Sequence, residues 1–389
     1  MEAVPCVRIK IMNRKLRVAI LGGGGILQAH APGFTRLSDK VQVVCAAESD
    51  PLRHDRMRKL LDDPNLKIYM DYNEVFQRDD IDAVDIILPH FLHMDAAVKA
   101  ANKGWHVLTE KVMARNTWEC QRMIDVAKKN NVVLMVSHDR RYAGDWVALN
   151  KIVKSGKLGR ILFWKLEHNQ DVVFPEGSWV RDPNGLGGGA IMSCLTHQID
   201  ALRWMGGEVE KVNCMTVVEP SRMMGECAGT ITAKMASGAL AQLSINWYTQ
   251  SHDWAGKAKN RLWYEFIQVC GTEGEAYYMH GKGTFMKLNS HAANTNEYAI
   301  DGDSGEAADD DIVRNFVKVD EPTTITGHQK CIEEFVKASC GEPAEVLTSG
   351  EDTIKTVEVA EAAYIAASQD VTVKLPIPQV PWEDRVYYR

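Results

Sequence analysis

Arg17-Val-Ala-Ile-Leu-Gly-Gly-Gly-Gly-Ile-Leu-Gln-Ala-His30 decides the fold. Val18 to Leu21 reads as a buried parallel strand, four glycines follow, and a helix begins after them. In that order a glycine motif marks a dinucleotide site. Gly22 allows the tight turn, and Gly24 lets the backbone approach a pyrophosphate. Gly25, Ile26 and Leu27 lead into a helix N-terminus whose free N–H groups suit that anion. Leu27 stands where the third glycine of G-x-G-x-x-G would be, so helix and strand pack less closely there. The next apolar run, Val41 to Ala47, ends at Glu48, about 25 residues beyond the glycines. A carboxylate there accepts bonds from two ribose hydroxyls and repels a 2′-phosphate, which favours NAD over NADP.

Working outward, residues 16 to about 140 alternate short apolar runs with amphipathic stretches. Strands are expected at Arg17–Leu21, Val41–Ala46, Ala83–Ile87, His106–Leu108 and Val132–Val136, with helices between them, such as Met94–Lys103 and Trp118–Asn130. This is the pattern of a doubly wound parallel sheet, whose ligands bind beyond the carboxyl ends of the strands. Pro89, His90 and His93 follow one such end and Thr109-Glu110-Lys111 another, so both should face a cofactor.

The second half reads differently. Ile161–Glu167, Val209–Val218, Gly229–Met235, Ala239–Trp247 and Phe266–Gly271 often alternate polar with apolar residues, the mark of a largely antiparallel sheet with one open face. Helices are expected at Ala190–Trp204 and Thr353–Ser368. The expected division is an extension, 1–15, a dinucleotide-binding domain, 16–140, and a substrate-binding and oligomerisation α/β domain, 141–389. The acidic stretch Asp301 to Asp311 reads as a solvated loop.

The 389-residue chain is long enough for two cores and carries a net charge of −7 without a basic stripe, which argues against nucleic acid as partner. No apolar run reaches membrane-spanning length, and Met1 to Lys15 does not read as a signal peptide. Nine scattered cysteines without a C-x-x-C pair suit reduced thiols in the cytoplasm. No metal site is expected: His90 and His93 lack supporting ligands.

From residue 16 to Pro376 the chain resembles the Gfo/Idh/MocA family of NAD(P)-dependent sugar and polyol oxidoreductases. The resemblance rests on the order of several pieces. They are the glycine loop through His30, Ile86-Ile-Leu-Pro-His-Phe-Leu-His93, Gly104-Trp-His-Val-Leu-Thr-Glu-Lys111 and Arg140-Arg-Tyr142. Gly177-Ser-Trp-Val-Arg-Asp-Pro183, Gly187-Gly-Gly-Ala-Ile-Met-Ser-Cys-Leu-Thr-His-Gln-Ile-Asp200, Gly271-Thr-Glu-Gly274 and Val357-Glu-Val-Ala-Glu-Ala-Ala363 follow.

The resemblance implies an N-terminal Rossmann domain, a C-terminal α/β domain with a large open sheet, and reversible hydride transfer between a sugar hydroxyl and NAD. The family's Glu-Lys-Pro maps to Glu110-Lys111-Val112, making Lys111 the cation at the substrate hydroxyl. Several members have a cis bond before that proline; with Val112 the peptide is either trans in a different loop or cis. The family's Asp-x-x-x-His reads Ser193-Cys-Leu-Thr-His197, with His197 as proton acceptor and Ser193 unable to share charge with it.

Trp179 and Arg181 match a segment that closes over the cofactor, and Asp139, Arg140 and Tyr142 are candidate substrate contacts. His168, Asp171, Trp254 and Lys257 are weaker ones, Asp200 is expected to orient its helix, and Met223 and Met224 to pack. Among subgroups, the glycine loop and Thr-Glu-Lys-Val resemble enzymes that oxidise glucose-like rings or glycosides at carbon 3 to a 3-keto sugar. The alternatives are an inositol or polyol dehydrogenase, an NAD-dependent redox-elimination glycosidase, and a non-catalytic NAD-binding sensor. A homo-oligomer (dimer, tetramer or hexamer) is expected.

Overall fold

β1 (Leu16–Leu21), β2 (Val41–Ala47), β3 (Ile68–Tyr69), β4 (Ala83–Ile86), β5 (His106–Glu110) and β6 (Leu134–Ser137) form one parallel sheet in the order β3-β2-β1-β4-β5-β6. The protein is described from a computed structural model, over residues 14–248, 263–289 and 317–387. Trp254, Lys257, the acidic stretch 301–311 and most of the N-terminal extension lie outside the described residues.

The central strands β1, β4 and β5 are buried along nearly their whole length because helices cover both faces. These helices are α1 (Leu27–Arg36), α2 (His54–Leu60), α3 (Tyr72–Val75), α4 (His90–Asn102) and α5 (Thr117–Lys129). Each fully buried Leu or Ile on these strands contributes about 1.5–3 kcal/mol. α3 begins with a capping box, Asp71 and Glu74 satisfying each other's backbone N–H groups, and α5 is capped by Asn116. α1 has no such cap.

After α6 (Gly144–Lys154) the second sheet begins. It is built from β7 (Ile161–Gln170), β8 (Val209–Val218), β9 (Glu226–Met235), β10 (Leu240–Asn246), β11 (Trp263–Gly271), β12 (Gly274–Met279), β13 (Gly283–Leu288), β14 (Val317–Val319) and β15 (Val373–Lys374). The order is β14-β13-β12-β11-β7-β10-β9-β8-β15; all pairs are antiparallel except β7 with β10.

Alternation decides which face is buried. Trp164, Leu166 and His168 of β7 point inward, with Ala241, Leu243 and Ile245 of β10 and Ile231 and Ala233 of β9 beside them. α8 (Thr196–Gly206) and α10 (Gly350–Gln369) cover that face, while Met215, Val217 and Leu240 stay exposed on the other. A short α7 (Pro183–Leu186) precedes the glycines that lead into α8.

The two sheets do not divide the chain at one point. α9 (Gly327–Ser339) packs Ile332, Phe335 and Val336 into the core formed by Leu16, Val18, Ile20 and Phe34, so the chain returns to the first sheet late.

Candidate active site

The strand order reverses between β1 and β4, so the loops that follow them diverge and open a crevice at the carboxyl edge. The glycine loop lies there. Gly22 has φ +105°, and a Cβ on it would sit 2.3 Å from the Ile87 carbonyl oxygen, so this position serves the turn. A Cβ on Gly24 or Gly25 would meet nothing within 4 Å. Nothing in the described protein demands glycine at those two places; a ligand pressed against the backbone would. α1 follows Ile26 without a side-chain cap and without an acid in its first turn; the Leu27 and Ala29 N–H groups donate to the Gly24 and Ile26 carbonyls, and no side chain closes the helix end to an anion.

Glu48 follows β2. Its carboxylate accepts the Gly23 N–H at 2.7 Å and the Asp50 N–H at 2.8 Å, which aims it at the glycine loop with acceptor capacity to spare. Bare glycines, an uncapped helix end and a carboxylate just past the neighbouring strand fit a dinucleotide's pyrophosphate and ribose.

Lys111 follows β5, and the Lys111–Val112 peptide is cis, which settles the alternative raised by Val112. The Lys111 ammonium donates to the Ser193 carbonyl oxygen at 2.6 Å. Ser193 lies in a π-helical turn, Ile191–Leu195, that runs into α8. Such turns re-aim side chains and carbonyls and recur at functional sites. His197 stands in the first turn of α8, nearly buried, and its Nδ1 has no hydrogen-bond partner. Burial, with Arg140 and Lys111 as neighbouring cations, holds its pKa well below the usual value, so the imidazole is neutral at neutral pH.

Two further histidines frame His197. His168 of β7 lies parallel to it, with ring centroids 6.2 Å apart and planes at 7°, and His138 meets it edge-on at 6.3 Å. His168 pairs across the sheet with Glu265 of β11, Nδ1 to carboxylate 3.3 Å. Arg140 lies between Asp139, at 2.7 Å, and Glu265, at 3.2 Å.

Residues 16–138 match the family model described as "Oxidoreductase family, NAD-binding Rossmann fold", and residues 146–277 match "GFO/IDH/MocA C-terminal domain". The chain belongs to the GFO/IDH/MocA family. It is 29% identical over 220 residues to levoglucosan dehydrogenase of Pseudarthrobacter phenanthrenivorans, covering 52% of this chain. It is 27% identical over 231 residues to myo-inositol 2-dehydrogenase of Thermotoga maritima, covering 58% of this chain. The matched stretches span 54% and 66% of those relatives' own lengths.

Two solved structures share the fold. Levoglucosan dehydrogenase in complex with NADH and levoglucosan aligns with TM-score 0.75 at 23% identity, over 94% of this chain and 100% of that one. The WlbA dehydrogenase from Bordetella pertussis, in complex with NADH and UDP-GlcNAcA, aligns with TM-score 0.74 at 20% identity, over 95% and 100%.

Several residues expected in the site of this GFO/IDH/MocA chain are used elsewhere. Tyr142 is buried away from it, its hydroxyl donating to the Glu345 carbonyl and accepting the Leu347 N–H. The ring nitrogens of His93 lie 2.9 and 2.7 Å from the carbonyl oxygens of Val112 and Leu88, so His93 fastens the loop after β5 to that after β4 instead of meeting a cofactor. The Glu110 carboxylate turns inward, 2.8 Å from His30 Nε2, and only its backbone remains for a ligand. Burial opposes charge on His30, but Asp85 and Glu110 on either side push its pKa up to about 10.

Arg181 donates through one guanidinium nitrogen to the carbonyls of Pro220 and Ser221, at 3.2 Å each, and so braces the β8–β9 connection. Leu27 fills the core, leaving only its backbone at the loop. Arg140 is near enough to His197 to help lower its pKa, while Asp139 pairs with Arg140 and, at 3.2 Å, with His328. Pro89 precedes α4 at the crevice, and Trp179 packs edge-on to His90 at 5.0 Å beside it. Asp200 orients more than its own helix: it accepts both arms of Arg141 at 2.7 and 2.8 Å and the Thr356 hydroxyl of α10. Met223 is core and Met224 is exposed. Sequence reasoning missed Glu265; its only sequence signal was an acid at an inward position of an alternating strand.

Proposed function

We propose that this chain is an NAD-dependent dehydrogenase that oxidises a secondary hydroxyl of a neutral sugar or glycoside, at carbon 3 of a glucose-like ring, to the 3-keto product. The observation that carries the reading is the meeting of Lys111 with the π turn beside a neutral His197. Lys111 offers its remaining ammonium protons to the substrate oxygen and stabilises the negative charge that grows there. His197 is neutral and takes the hydroxyl proton. Ser193 hydrogen-bonds a neighbouring hydroxyl. Gly22, Gly24, Gly25, Ile26 and Glu48 hold the dinucleotide, which when bound supplies the hydride acceptor.

Charge supports a neutral substrate. Arg140 is met by Asp139 and Glu265, and Arg141 by Asp200 and Asp352, so neither arginine is free for a phosphate. Carbon 3 rests on the likeness of the glycine loop and Thr109-Glu110-Lys111-Val112 to sugar 3-dehydrogenases. Among the described residues no helix is long and apolar enough to cross a membrane. The exposed Met215, Val217 and Leu240 support self-assembly through the outer face of the second sheet.

The test is NMR of products formed with NAD from a panel of glucosides, myo-inositol and phosphorylated sugars. A 3-keto glucoside is the expected product. Oxidation of myo-inositol alone, preference for a phosphorylated sugar, or release of aglycone without net NADH would overturn the assignment.

A further inference from the structure

The glycines Gly187 to Gly189 and the π turn they lead into are held by two side chains remote in sequence. No local side chain caps Ile191–Leu195, whose leading N–H groups need partners from elsewhere. Tyr364 of α10 and Glu226, the first residue of β9, supply them, and both are buried. The Tyr364 hydroxyl accepts the Gly189 N–H at 3.1 Å and the Met192 N–H at 3.0 Å, and it donates to Glu226 Oε1 at 2.9 Å. That oxygen also accepts the Ile191 N–H at 2.7 Å. A carboxylate at this end of a helix suits the helix dipole. The glycines make the approach possible: a Cβ on Gly188 would run into the Tyr364 hydroxyl, and one on Gly189 into the Glu226 carbonyl and carboxylate.

We propose that Tyr364 and Glu226 are positioning residues of the candidate active site: by fixing the start of the π turn they set where the Ser193 carbonyl meets Lys111 and where His197 stands. The proposal rests on the roles read for Lys111 and His197. The N–H groups of Ile191 and Met192 belong to the two residues just before Ser193, whose carbonyl accepts the Lys111 ammonium at 2.6 Å. The Thr196 N–H reaches back five residues to the Ile191 carbonyl, so the turn holds one residue more than an α-helix would.

Without those bonds the turn can close into α-helical register. One residue of register is about 100° of rotation at 3.6 residues per turn. On that rotation either the Ser193 carbonyl leaves Lys111, or His197 leaves its place among Arg140, Lys111, His168 and His138. The reaction needs both at once. Tyr364 and Glu226 act through the turn and take no part in the proton or hydride transfer.

The test uses the full chain, with folding followed by circular dichroism, turnover measured on a glucoside, and the His197 imidazole titrated by NMR. Tyr364→Phe should lower kcat per folded molecule about 10- to 100-fold with NAD affinity unchanged. His197, drawn away from Lys111 and Arg140, should titrate closer to the usual histidine value than in the wild type. Glu226→Gln keeps an acceptor oxygen at full reach and should keep most of the wild-type kcat. Glu226→Asp keeps the charge but falls one methylene short of the Ile191 N–H, and should lose as much as Tyr364→Phe. A merely structural pair would lose folded protein and leave kcat per folded molecule and the His197 titration unmoved. That result, or equal kcat in the two Glu226 variants, would overturn the proposal; the Glu226 variants decide it if Tyr364→Phe does not fold. A wild-type chain that oxidises no sugar would overturn the proposed reaction instead, and the His197 titration would then judge the positioning role.

Discussion

Alanine at Gly24 and at Gly22 should fail for opposite reasons. At Gly24 the backbone is not left-handed and an added Cβ meets no protein atom within 4 Å. The substitution then acts mainly on the unfolded chain, leaving stability unchanged or raised by about 0.4–1 kcal/mol. Binding should suffer, because the new methyl occupies the surface where a pyrophosphate meets the loop. Losing one charge-assisted N–H bond costs about 1.5–3 kcal/mol. At 1.4 kcal/mol per decade, that is roughly a 10- to 100-fold weaker Kd for NAD.

Gly22 reverses the pattern. Its φ of +105° is unfavourable for an L side chain, and its Cβ would lie 2.3 Å from the Ile87 carbonyl oxygen. The conformational cost alone is about 1–2 kcal/mol before the clash is relieved. Urea unfolding and calorimetric titration with NAD, on protein stripped of bound nucleotide, separate the two effects. Gly24→Ala with wild-type NAD affinity, or as unstable as Gly22→Ala, would refute the assignment of the loop.

Lys111→Met and His197→Ala should each lower kcat, His197→Ala by about 10²–10⁴-fold, with NAD affinity nearly intact, as single-turnover reduction of bound NAD would show. Ser193→Asp places a carboxylate four residues before His197 and should move the acid limb of the oxidation pH profile upward; an unchanged limb in folded protein would separate position 193 from His197. Glu48→Ala should narrow the preference for NAD over NADP, measured by titrating both at one salt concentration. Stability should peak near pH 6.5. Burial lowers His90, His93, His138, His197 and, to about 4, His106, so on acidification below 6.5 the unfolded chain takes up protons first and stability falls. His30, held near 10, contributes stability below 6.5 that is lost as pH rises towards 10. Urea midpoints at pH 5, 6.5 and 9 check both limbs, and His30→Gln should flatten the alkaline one.

Local signals were legible where a strand or turn is specified by its own residues. The runs that became β1, β2, β4 and β5 are dominated by apolar residues because both faces of a parallel strand are covered, although β4 carries the buried Asp85 and β5 ends on Thr109 and Glu110. Val209–Val218 is a strand over the residues its alternation indicated. What was missed depends on distant partners. β3 and β15 are two-residue strands without a periodicity of their own. α9 is amphipathic, but its buried stripe acquires meaning only against α1. The expected helix Ala190–Trp204 opens instead with a π turn, a distinction that one residue per turn makes and hydrophobic spacing does not reveal. Tyr142 looked like a pocket residue because it follows Arg140 and Arg141, yet the three diverge within a single short turn.

The same distance dependence explains the electrostatics around His197. Where the family places an aspartate four residues before the histidine, this chain has Ser193, so that position supplies no negative charge to His197. The other acids of this region are Asp139 from the turn after β6, Glu265 from β11 and Asp200 from the same helix as His197, α8. Each is engaged by an arginine or histidine before it can act on His197. Glu265 and Asp200 are both held at about 2 against the cost of burial, chiefly by Arg140 and Arg141. Their negative charge is absorbed there, and His197 is left facing cations. A histidine in such a field takes a proton reluctantly and gives it up readily. In the proposed reaction that bias keeps His197 in the neutral form a base requires, and Lys111 is the group assigned to the charge that grows on the substrate oxygen.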